Sequence, residues 1–150
     1  MCRENMLGAR NMPPNTESNK SVVRRFVEEL WNRGDLSAVE EIVAPDFVMH
    51  DALGAGSLRG PAGVRKEFEV ERSIMPDQHF ELHEIIAEGN LVACRTTLTG
   101  TPANSGGATP GVPRKASLRG MNFFHVSNDK ITDEWWVYDS SERWWAPGPA

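Results

Sequence analysis

The first third of the chain follows a helical hydrophobic pattern. From Asn19 onward, apolar residues recur three or four positions apart with charged residues between them, which predicts an amphipathic helix. Gly34 ends this helix, and Asp35 is placed as the N-cap of a second, shorter helix that runs to Pro45. The apolar positions of the first helix are Val22, Val23, Phe26, Val27 and Leu30.

A short extended segment and a third helix follow this helical pair. The extended segment covers Phe47 to His50, and a glycine-rich loop separates it from a helix that begins at about Pro61. The third helix runs toward Met75, because Pro76 cannot continue it.

The chain beyond Pro76 contains four stretches that alternate between apolar and polar residues or are rich in β-branched ones. Gly89-Asn90 and Asn128-Asp129 connect them as two-residue turns, so each flanking pair is expected to form an antiparallel hairpin. Residues 102–113 are rich in Pro and Gly, which predicts an irregular loop or lid. The four predicted strands are 78–87, 91–100, 115–127 and 130–139.

Three helices in the N-terminal half followed by an antiparallel sheet predict an α+β fold, with the helices packed on one face of a curved sheet. Curvature makes such a domain cone-shaped, with the helices over the concave face. Space that the helices leave unfilled becomes a pocket lined by inward-facing strand residues.

Length, charge and cysteine content restrict the class of protein and its partners. The 150 residues suit one domain, predicted over 19–150, behind a polar leader, 1–18, that is expected to be flexible. The net charge of −5 and the absence of a long basic run argue against nucleic acid as a partner. No apolar stretch approaches the ~20 residues of a membrane span. Cys2 and Cys94 form no disulfide framework, which favours the cytoplasm.

Three stretches, residues 22–51, 76–101 and 122–139, contain a series of short motifs. These are a helix pair followed by His-Asp, a strand after Pro-Asp, a Gly-Asn turn, an Arg-bearing strand and a final strand with Trp-x-x-x-Asp. In this order they resemble the SnoaL-like family of the nuclear transport factor 2-like superfamily, whose members include polyketide ring cyclases, hydrolases and isomerases. The resemblance implies a nuclear transport factor 2-like (cystatin-like) fold, a homodimer, and acid/base catalysis without a cofactor.

Asp139, at the end of the last predicted strand, is the first candidate for the catalytic group. The resemblance implies that it is the general acid/base of the cyclases. The two-residue period of a strand places it on one face with Trp135 and Val137, where poor solvation would raise its pKa toward neutrality. The alternative is a strand-end aspartate that caps a turn.

His125 and His50 are the other catalytic candidates. His125 lies across the second hairpin, where its imidazole could hydrogen-bond to a developing enolate or relay a proton, although an ordinary structural histidine fits equally well. His50 matches the family's His-Asp and is expected to point into the mouth of the cone, with Asp51 pointing away. His79 and His83 stand about 13 Å apart on a strand that rises ~3.3 Å per residue, so no metal site is predicted.

The predicted substrate pocket is aromatic, since the chain has five tryptophans. Trp31, Trp135 and Trp136 could form flat walls for a planar, polycyclic substrate, and Trp144 and Trp145 could cap the opening. Core packing and dimer contacts are the alternatives for these residues. The remaining candidates for the lining are Val137, Phe123 and Met121, with Met49 and Phe124 assigned to lining or core.

Arg95 is also a candidate pocket residue, because it interrupts an otherwise apolar or hydroxyl-bearing strand. A guanidinium in such a position needs a carboxylate partner. Pairing with Asp133 or Glu81 is expected to outweigh a role in substrate binding.

Together, these features predict a lyase or isomerase that closes a ring by intramolecular aldol-like chemistry on a bulky apolar, polyketide-derived molecule. Hydroxylation, epoxide hydrolysis and double-bond isomerisation are alternative reactions for the same pocket. A non-catalytic small-ligand-binding module is a further alternative.

Overall fold

The first helix of the protein is longer than the sequence predicts and changes its winding halfway. The computed structural model describes residues 15–51, 57–104 and 115–139, with the backbone alone at Asp51. Helix α1 spans Thr16–Arg25, three residues into the predicted leader, because the Asn15 side chain caps it by accepting from the Glu17 and Ser18 N–H groups.

The chain continues from α1 as a π-helix over Phe26–Asn32. The wider turn needs partners for its last carbonyls, and Arg72 Nη2 donates to the carbonyls of Trp31 at 2.6 Å and Asn32 at 3.1 Å. The Asn32 side chain pairs with the backbone of Phe80, donating to its carbonyl at 2.9 Å and accepting from its N–H at 2.8 Å. The π-helical segment is therefore fastened to the sheet and to α3, and no sequence pattern indicated it.

The second helix confirms its predicted Asp35 cap, and the third begins one residue before the predicted Pro61. A 3₁₀ turn over Leu36–Ala38 leads into α2, Val39–Ile42, and the Asp35 carboxylate accepts from the Ser37 N–H. The helix ends before Pro45, because a strand begins at Val43. Helix α3 spans Gly60–Ile74 with proline in its first turn and ends at Met75.

The sheet has six strands in the order β2-β1-β6-β5-β4-β3. The four predicted strands are present, and Gly89, Asn128 and Asp129 adopt φ angles of 57°, 51° and 57° in the two hairpin turns. The segment predicted at 47–50 is a nine-residue strand, which pairs parallel to β6 and makes the sheet mixed. The strands are β1 Val43–Asp51, β2 Ser57–Arg59, β3 His79–Glu88, β4 Leu91–Gly100, β5 Ala116–Ser127 and β6 Lys130–Tyr138.

Only one face of this sheet is covered. Along β5 buried and exposed residues alternate without exception, so one face packs against the helices and the other lies open. The core lies between the helices and the covered face, with Phe26, Phe47 and Phe124 among its largest fully buried side chains. The structure is thus the predicted α+β fold, with three helices on a curved, unclosed sheet.

Several predictions concern residues outside the described ranges. They are most of the leader, the greater part of the 102–113 loop, and the tail with Trp144 and Trp145. No helix among the described residues is long and apolar enough to cross a bilayer.

Candidate active site

A cavity lies between the covered face of the sheet and the helices, and it encloses about 430 Å³ of unoccupied space including its opening. Apolar and aromatic side chains supply most of its wall, and two carboxyl groups interrupt it. Its lining residues are Phe26, Val27, Trp31, Met49, Glu71, Phe80, Thr96, Asn122, Phe124, Glu134, Trp136 and Tyr138.

Glu134, on β6, is the buried carboxyl on the sheet side of the cavity, with 5% of its surface exposed. Its Oε1 accepts from Asn122 Nδ2 at 3.1 Å, and Oε2 has no hydrogen-bond partner among the described residues. Burial raises its pKa to about 8, the Asn122 hydrogen bond partly opposes this, and the charge of Glu71 adds to the rise. Glu134 therefore holds a proton at neutral pH and can exchange it through Oε2.

A chain of hydrogen bonds orients Glu134. Thr96 Oγ1 donates to Asn122 Oδ1 at 3.2 Å, and the Tyr138 hydroxyl lies 3.4 Å from Thr96 Oγ1. Because the single hydroxyl hydrogen of Thr96 goes to Asn122, Tyr138 is the donor in its contact with Thr96. The hydrogen bonds thus all run in one direction, from Tyr138 through Thr96 and Asn122 to the Glu134 carboxyl.

Glu71, on α3, is the second carboxyl of the cavity. Its Oε2 is buried and has no hydrogen-bond partner among the described residues. Burial raises its pKa to about 8, and the charge of Glu67 one turn earlier raises it further, while Gln78 and Arg72 act in the opposite direction. The guanidinium of Arg72 turns to the end of the π-helix, so it does not line the cavity.

Aromatic rings form the rest of the wall. Trp31 lies 5.9 Å from Phe80 between ring centroids, Phe26 lies 5.8 Å from Phe124, and Trp136 lies 5.7 Å from Tyr138. No Lys, Arg or His is among the described lining residues. The cavity is thus a low-dielectric site with two acids and no cationic side chain.

The sequence placed most of its candidate residues on the wrong face of β5 and β6. Of the nine predicted catalytic and pocket residues, Trp31 alone lines the cavity among the residues described. Met49 and Phe124, which had been left between lining and core, and Trp136, which had been named as a further wall, line it as well. Met121, Phe123 and Val137 lie on the open face, with 58%, 52% and 48% of their surface exposed.

A β-bulge in β6 accounts for the misplaced candidates of that strand. Ile131 is opposite Val126, but Asp133 is already opposite His125, so Thr132 is an extra residue in β6. Ile131 faces the core, and after the bulge the core-facing residues are Glu134, Trp136 and Tyr138. Strict alternation from Ile131 would have placed Asp133, Trp135 and Val137 inside.

Asp139 lies outside the cavity, directly after β6. Its carboxylate is 41% exposed and pairs with Arg119 Nη2 at 3.1 Å, on the strand next to it. Its backbone N–H donates to the Arg119 carbonyl at 2.7 Å. The predicted dry environment of Asp139 is therefore wrong, and its surroundings suit a strand-end ion pair.

His50, His125 and Trp135 gather around Asp133 on the open face of the sheet. His50 Nε2 lies 3.0 Å from Asp133 Oδ1, and His125 Nδ1 lies 3.6 Å from Oδ2. The imidazole of His50 stacks on Trp135 with ring centroids 4.5 Å apart. Burial acts to raise the pKa of Asp133, but hydrogen bonds from His50 and Thr132 outweigh it and keep the pKa below its usual value.

This outer cluster brings two predicted catalytic residues together, although away from the cavity. Among the described residues, no group of three or more His, Cys, Asp and Glu is arranged to hold a metal ion.

Arg95 also lies on the open face rather than in the pocket. Its guanidinium forms a bidentate pair with Glu84 on β3, at 2.6 and 2.9 Å, and not with Asp133 or Glu81 as predicted. The expectation that its role is pairing agrees with this geometry.

Sequence reasoning missed both cavity carboxyls, and one of them had a visible signal. On α3, Val64, Phe68, Glu71 and Met75 follow a spacing of four, three and four residues, which places Glu71 on the apolar face of that helix. A charged residue on an apolar face marks a buried ionisable group. Glu134 had no such signal, because the bulge sets its phase.

Comparison with known proteins gives the family. The model of the SnoaL-like polyketide cyclase family matches residues 21–143. Wild-type IdmH from Streptomyces antibioticus, a candidate polyketide cyclase, is 25% identical, with a TM-score of 0.70 over 81% of this chain and 92% of its own. No curated protein sequence matches the chain.

Two further solved structures share the fold. AclR from Streptomyces galilaeus, a candidate hydroxylase, is 24% identical, with a TM-score of 0.68 over 85% of this chain and 92% of its own. A candidate SnoaL-like polyketide cyclase from Jannaschia sp. CCS1 is 16% identical, with a TM-score of 0.73 over 88% of this chain and 92% of its own. Because the family model covers most of the sequence, this chain belongs to the SnoaL-like polyketide cyclase family.

Proposed function

We propose that the protein is a cofactor-independent acid/base enzyme that closes a ring in a polyketide-derived substrate, with Glu134 as the group that moves the proton. The observation behind this proposal is the fully buried Glu134 carboxyl, which lines an aromatic cavity and leaves Oε2 without a partner among the described residues. Membership of the SnoaL-like polyketide cyclase family supports a small polyketide as the substrate.

The environment of Glu134 suits this role. A general base works best when its pKa lies near the working pH, and burial raises the pKa of Glu134 to about 8. The exposed Asp139 lacks such a surrounding, because Arg119 and solvent stabilise its charge. Glu134 therefore replaces Asp139 as the proposed base.

The reaction we propose is an intramolecular aldol closure. Ionised Glu134 removes a proton from a carbon beside a carbonyl group, and the resulting enolate attacks a second carbonyl of the same molecule. The flat walls formed by Trp31 and Trp136 would hold the flexible chain in a folded shape and exclude water.

Deuterium exchange tests the role of Glu134 without knowledge of the natural substrate. Benzoylacetone, an aromatic 1,3-dicarbonyl, exchanges its central protons in D₂O, and NMR measures the rate. We expect the protein to accelerate this exchange and Glu134→Gln to lower the acceleration about 100-fold, the usual share of a general base. Asp139→Asn is the matched control, since it removes an exposed carboxylate just beyond the same strand, and it should change the rate less than threefold. Loss of exchange in Asp139→Asn with retention in Glu134→Gln would refute this assignment.

We further propose that the open face of the sheet joins two copies of the chain. The open face carries a group of neighbouring apolar residues on β5 and β6, Met121, Phe123 and Val137, each about half-exposed. Soluble monomers rarely expose a contiguous group of large apolar side chains. Exposed apolar groups of this kind commonly mark a surface that binds another protein. A second copy of the same face supplies a matching surface.

A further inference from the structure

The two carboxyls of the cavity reach it from different parts of the fold. Glu134 comes from the sheet and Glu71 comes from α3, and each has a buried Oε2 without a hydrogen-bond partner among the described residues. A buried polar atom without a hydrogen-bond partner lowers the stability of the fold. Two such atoms in one cavity therefore indicate a function rather than a contribution to stability. A ligand that meets both oxygens would satisfy them.

An aldol closure needs an acid as well as a base. When the enolate attacks, negative charge develops on the oxygen of the attacked carbonyl, and some group must neutralise it. No Lys, Arg or His lines the cavity among the residues described. Glu134, which accepts the proton from carbon, cannot at the same moment donate one to the carbonyl oxygen.

The hydroxyl and amide side chains of the lining take part in the hydrogen-bond chain that ends at Glu134. Tyr138 donates its hydroxyl hydrogen to Thr96, which donates to Asn122, and Asn122 donates to Glu134. Glu71 is the other carboxyl of the lining, and its buried Oε2 has no hydrogen-bond partner among the described residues.

We propose that Glu71 is a second catalytic residue, the general acid that protonates the attacked carbonyl oxygen while Glu134 accepts the proton from carbon. This inference rests on the proposed function and extends it to a mechanism with two carboxyl groups. It also defines the substrate class: a neutral chain with an enolisable carbon and a second ketone close enough to meet both carboxyls.

The step balances in atoms and electrons. The C–H bond breaks and its proton goes to Glu134 Oε2, while its electron pair forms the new C–C bond. The π pair of the attacked carbonyl moves to its oxygen, which takes the proton of Glu71 Oε2 and becomes an alcohol. Glu134 ends protonated and Glu71 ionised, and proton exchange with water after product release restores the starting state.

The surroundings of the two carboxyls fit these different roles. Asn122 donates to Glu134 Oε1, which favours the ionised form that a base needs. Burial raises the pKa of Glu71 to about 8, as it does the pKa of Glu134, so near that pH one carboxyl can be ionised while the other keeps its proton. Ring closure should therefore have a maximum near pH 8, where one carboxyl is ionised and the other is protonated.

Two probes separate the roles, because exchange needs the base alone and closure needs both groups. Exchange is measured with benzoylacetone in D₂O. Closure is measured with 2-methyl-2-(3-oxobutyl)cyclohexane-1,3-dione, a triketone that forms a bicyclic ketol, followed by chromatography. We expect Glu71→Gln to lower closure about 100-fold and to change exchange less than threefold, since glutamine donates a hydrogen bond but transfers no proton.

Control variants guard against a purely structural effect. Glu69 is exposed on α3, so Glu69→Gln should change neither the exchange rate nor the closure rate. Glu71→Asp keeps a transferable proton and should retain more closure than Glu71→Gln. Thermal unfolding of each variant shows that it is folded.

Three outcomes would overturn the role of Glu71. They are unchanged closure in folded Glu71→Gln, an equal loss of closure and exchange in that variant, and exchange without closure by the wild-type protein. If instead Glu134→Gln keeps full exchange, the proposed function fails, whatever Glu71 does.

Discussion

Two glutamates, each with a carboxyl oxygen that the fold buries, carry most of the chemistry proposed for this protein. A buried carboxylate loses its hydration, so a protein keeps such a group neutral or pairs it. Glu134 and Glu71 follow the first course: burial raises the pKa of each to about 8, and neither forms an ion pair among the described residues. Strongly raised pKa values of buried carboxyl groups, which lower stability, are typical of functional sites.

Stability should therefore depend on pH through Glu134. Below about pH 4.5, the pKa of a glutamate in the unfolded chain, Glu134 is protonated in both the folded and the unfolded state. Between about pH 4.5 and about pH 8, it is protonated in the folded state alone. The unfolded chain releases protons in this window, so the free energy of unfolding falls as pH rises and levels off above pH 8.

Glu134→Gln removes this contribution. We expect its free energy of unfolding, relative to wild type, to increase between pH 5 and pH 8 by an amount on the order of a few kcal/mol. Urea denaturation at several pH values measures the difference. Glu88→Gln, on an exposed part of β3, is the control and should follow the wild-type curve. Parallel curves for Glu134→Gln and wild type would contradict a raised pKa.

Strand β6 and the π-helical end of the first helix place the site. The bulge at Thr132 turns Glu134, Trp136 and Tyr138 toward the cavity, and it leaves Trp135 and Val137 on the open face. The π-helix places Phe26, Val27 and Trp31 along the opposite wall. Both irregular elements are thus found at the candidate site, where such features are common.

The side chain of Asn32 should control how firmly the π-helix is held. It makes two hydrogen bonds to the backbone of Phe80, and its removal would leave both Phe80 groups without these partners. We expect Asn32→Ala to lower the free energy of unfolding by about 2–3 kcal/mol, about one for each lost bond and more for buried groups left unpaired. Chemical denaturation measures this loss.

Glu28→Ala, an exposed change in the same helical segment, is the control for Asn32→Ala and should cost less than about 0.5 kcal/mol. An equally small decrease in the free energy of unfolding for Asn32→Ala would show that the two hydrogen bonds between Asn32 and Phe80 contribute little to stability.

The entire fold leaves one sheet face covered and the other open. The covered face encloses the cavity, and the open face combines a half-exposed apolar group with the cluster of His50, Asp133, His125 and Trp135. This division explains why residues proposed for catalysis from the sequence lie on the surface that we propose for dimerisation.

The proposed dimer should depend on Phe123. Phe123→Glu places a charge at the centre of the apolar group, and burying it against a second copy would be costly. We expect wild type to elute as a dimer and this variant as a monomer in size-exclusion chromatography with light scattering. Val70→Glu makes the same kind of change on an exposed position of α3 and should leave the dimer intact. A monomeric wild-type protein would disprove the dimer.

The sequence by itself determined the three helices and the four strands after Pro76, but not the π-helical winding, the length of β1 or the short strand β2. Local features specify them: the Asp35 cap, the turn residues at Gly89 and Asn128, and the alternation along β5 all act within a few positions of the chain. The sequence also contained the family resemblance that the family model confirms over residues 21–143.

Tertiary structure alone decided which face each β6 side chain occupies and which carboxyls meet. One extra residue at Thr132 shifts the two-residue period of β6, and this shift arises from pairing with β5 rather than from the β6 sequence. The meeting of Glu71 and Glu134 requires α3 to pack over the sheet, across 63 positions of the chain. Periodicity reports local geometry, whereas burial is a property of the assembled fold, and so the site appears only once the layers have packed.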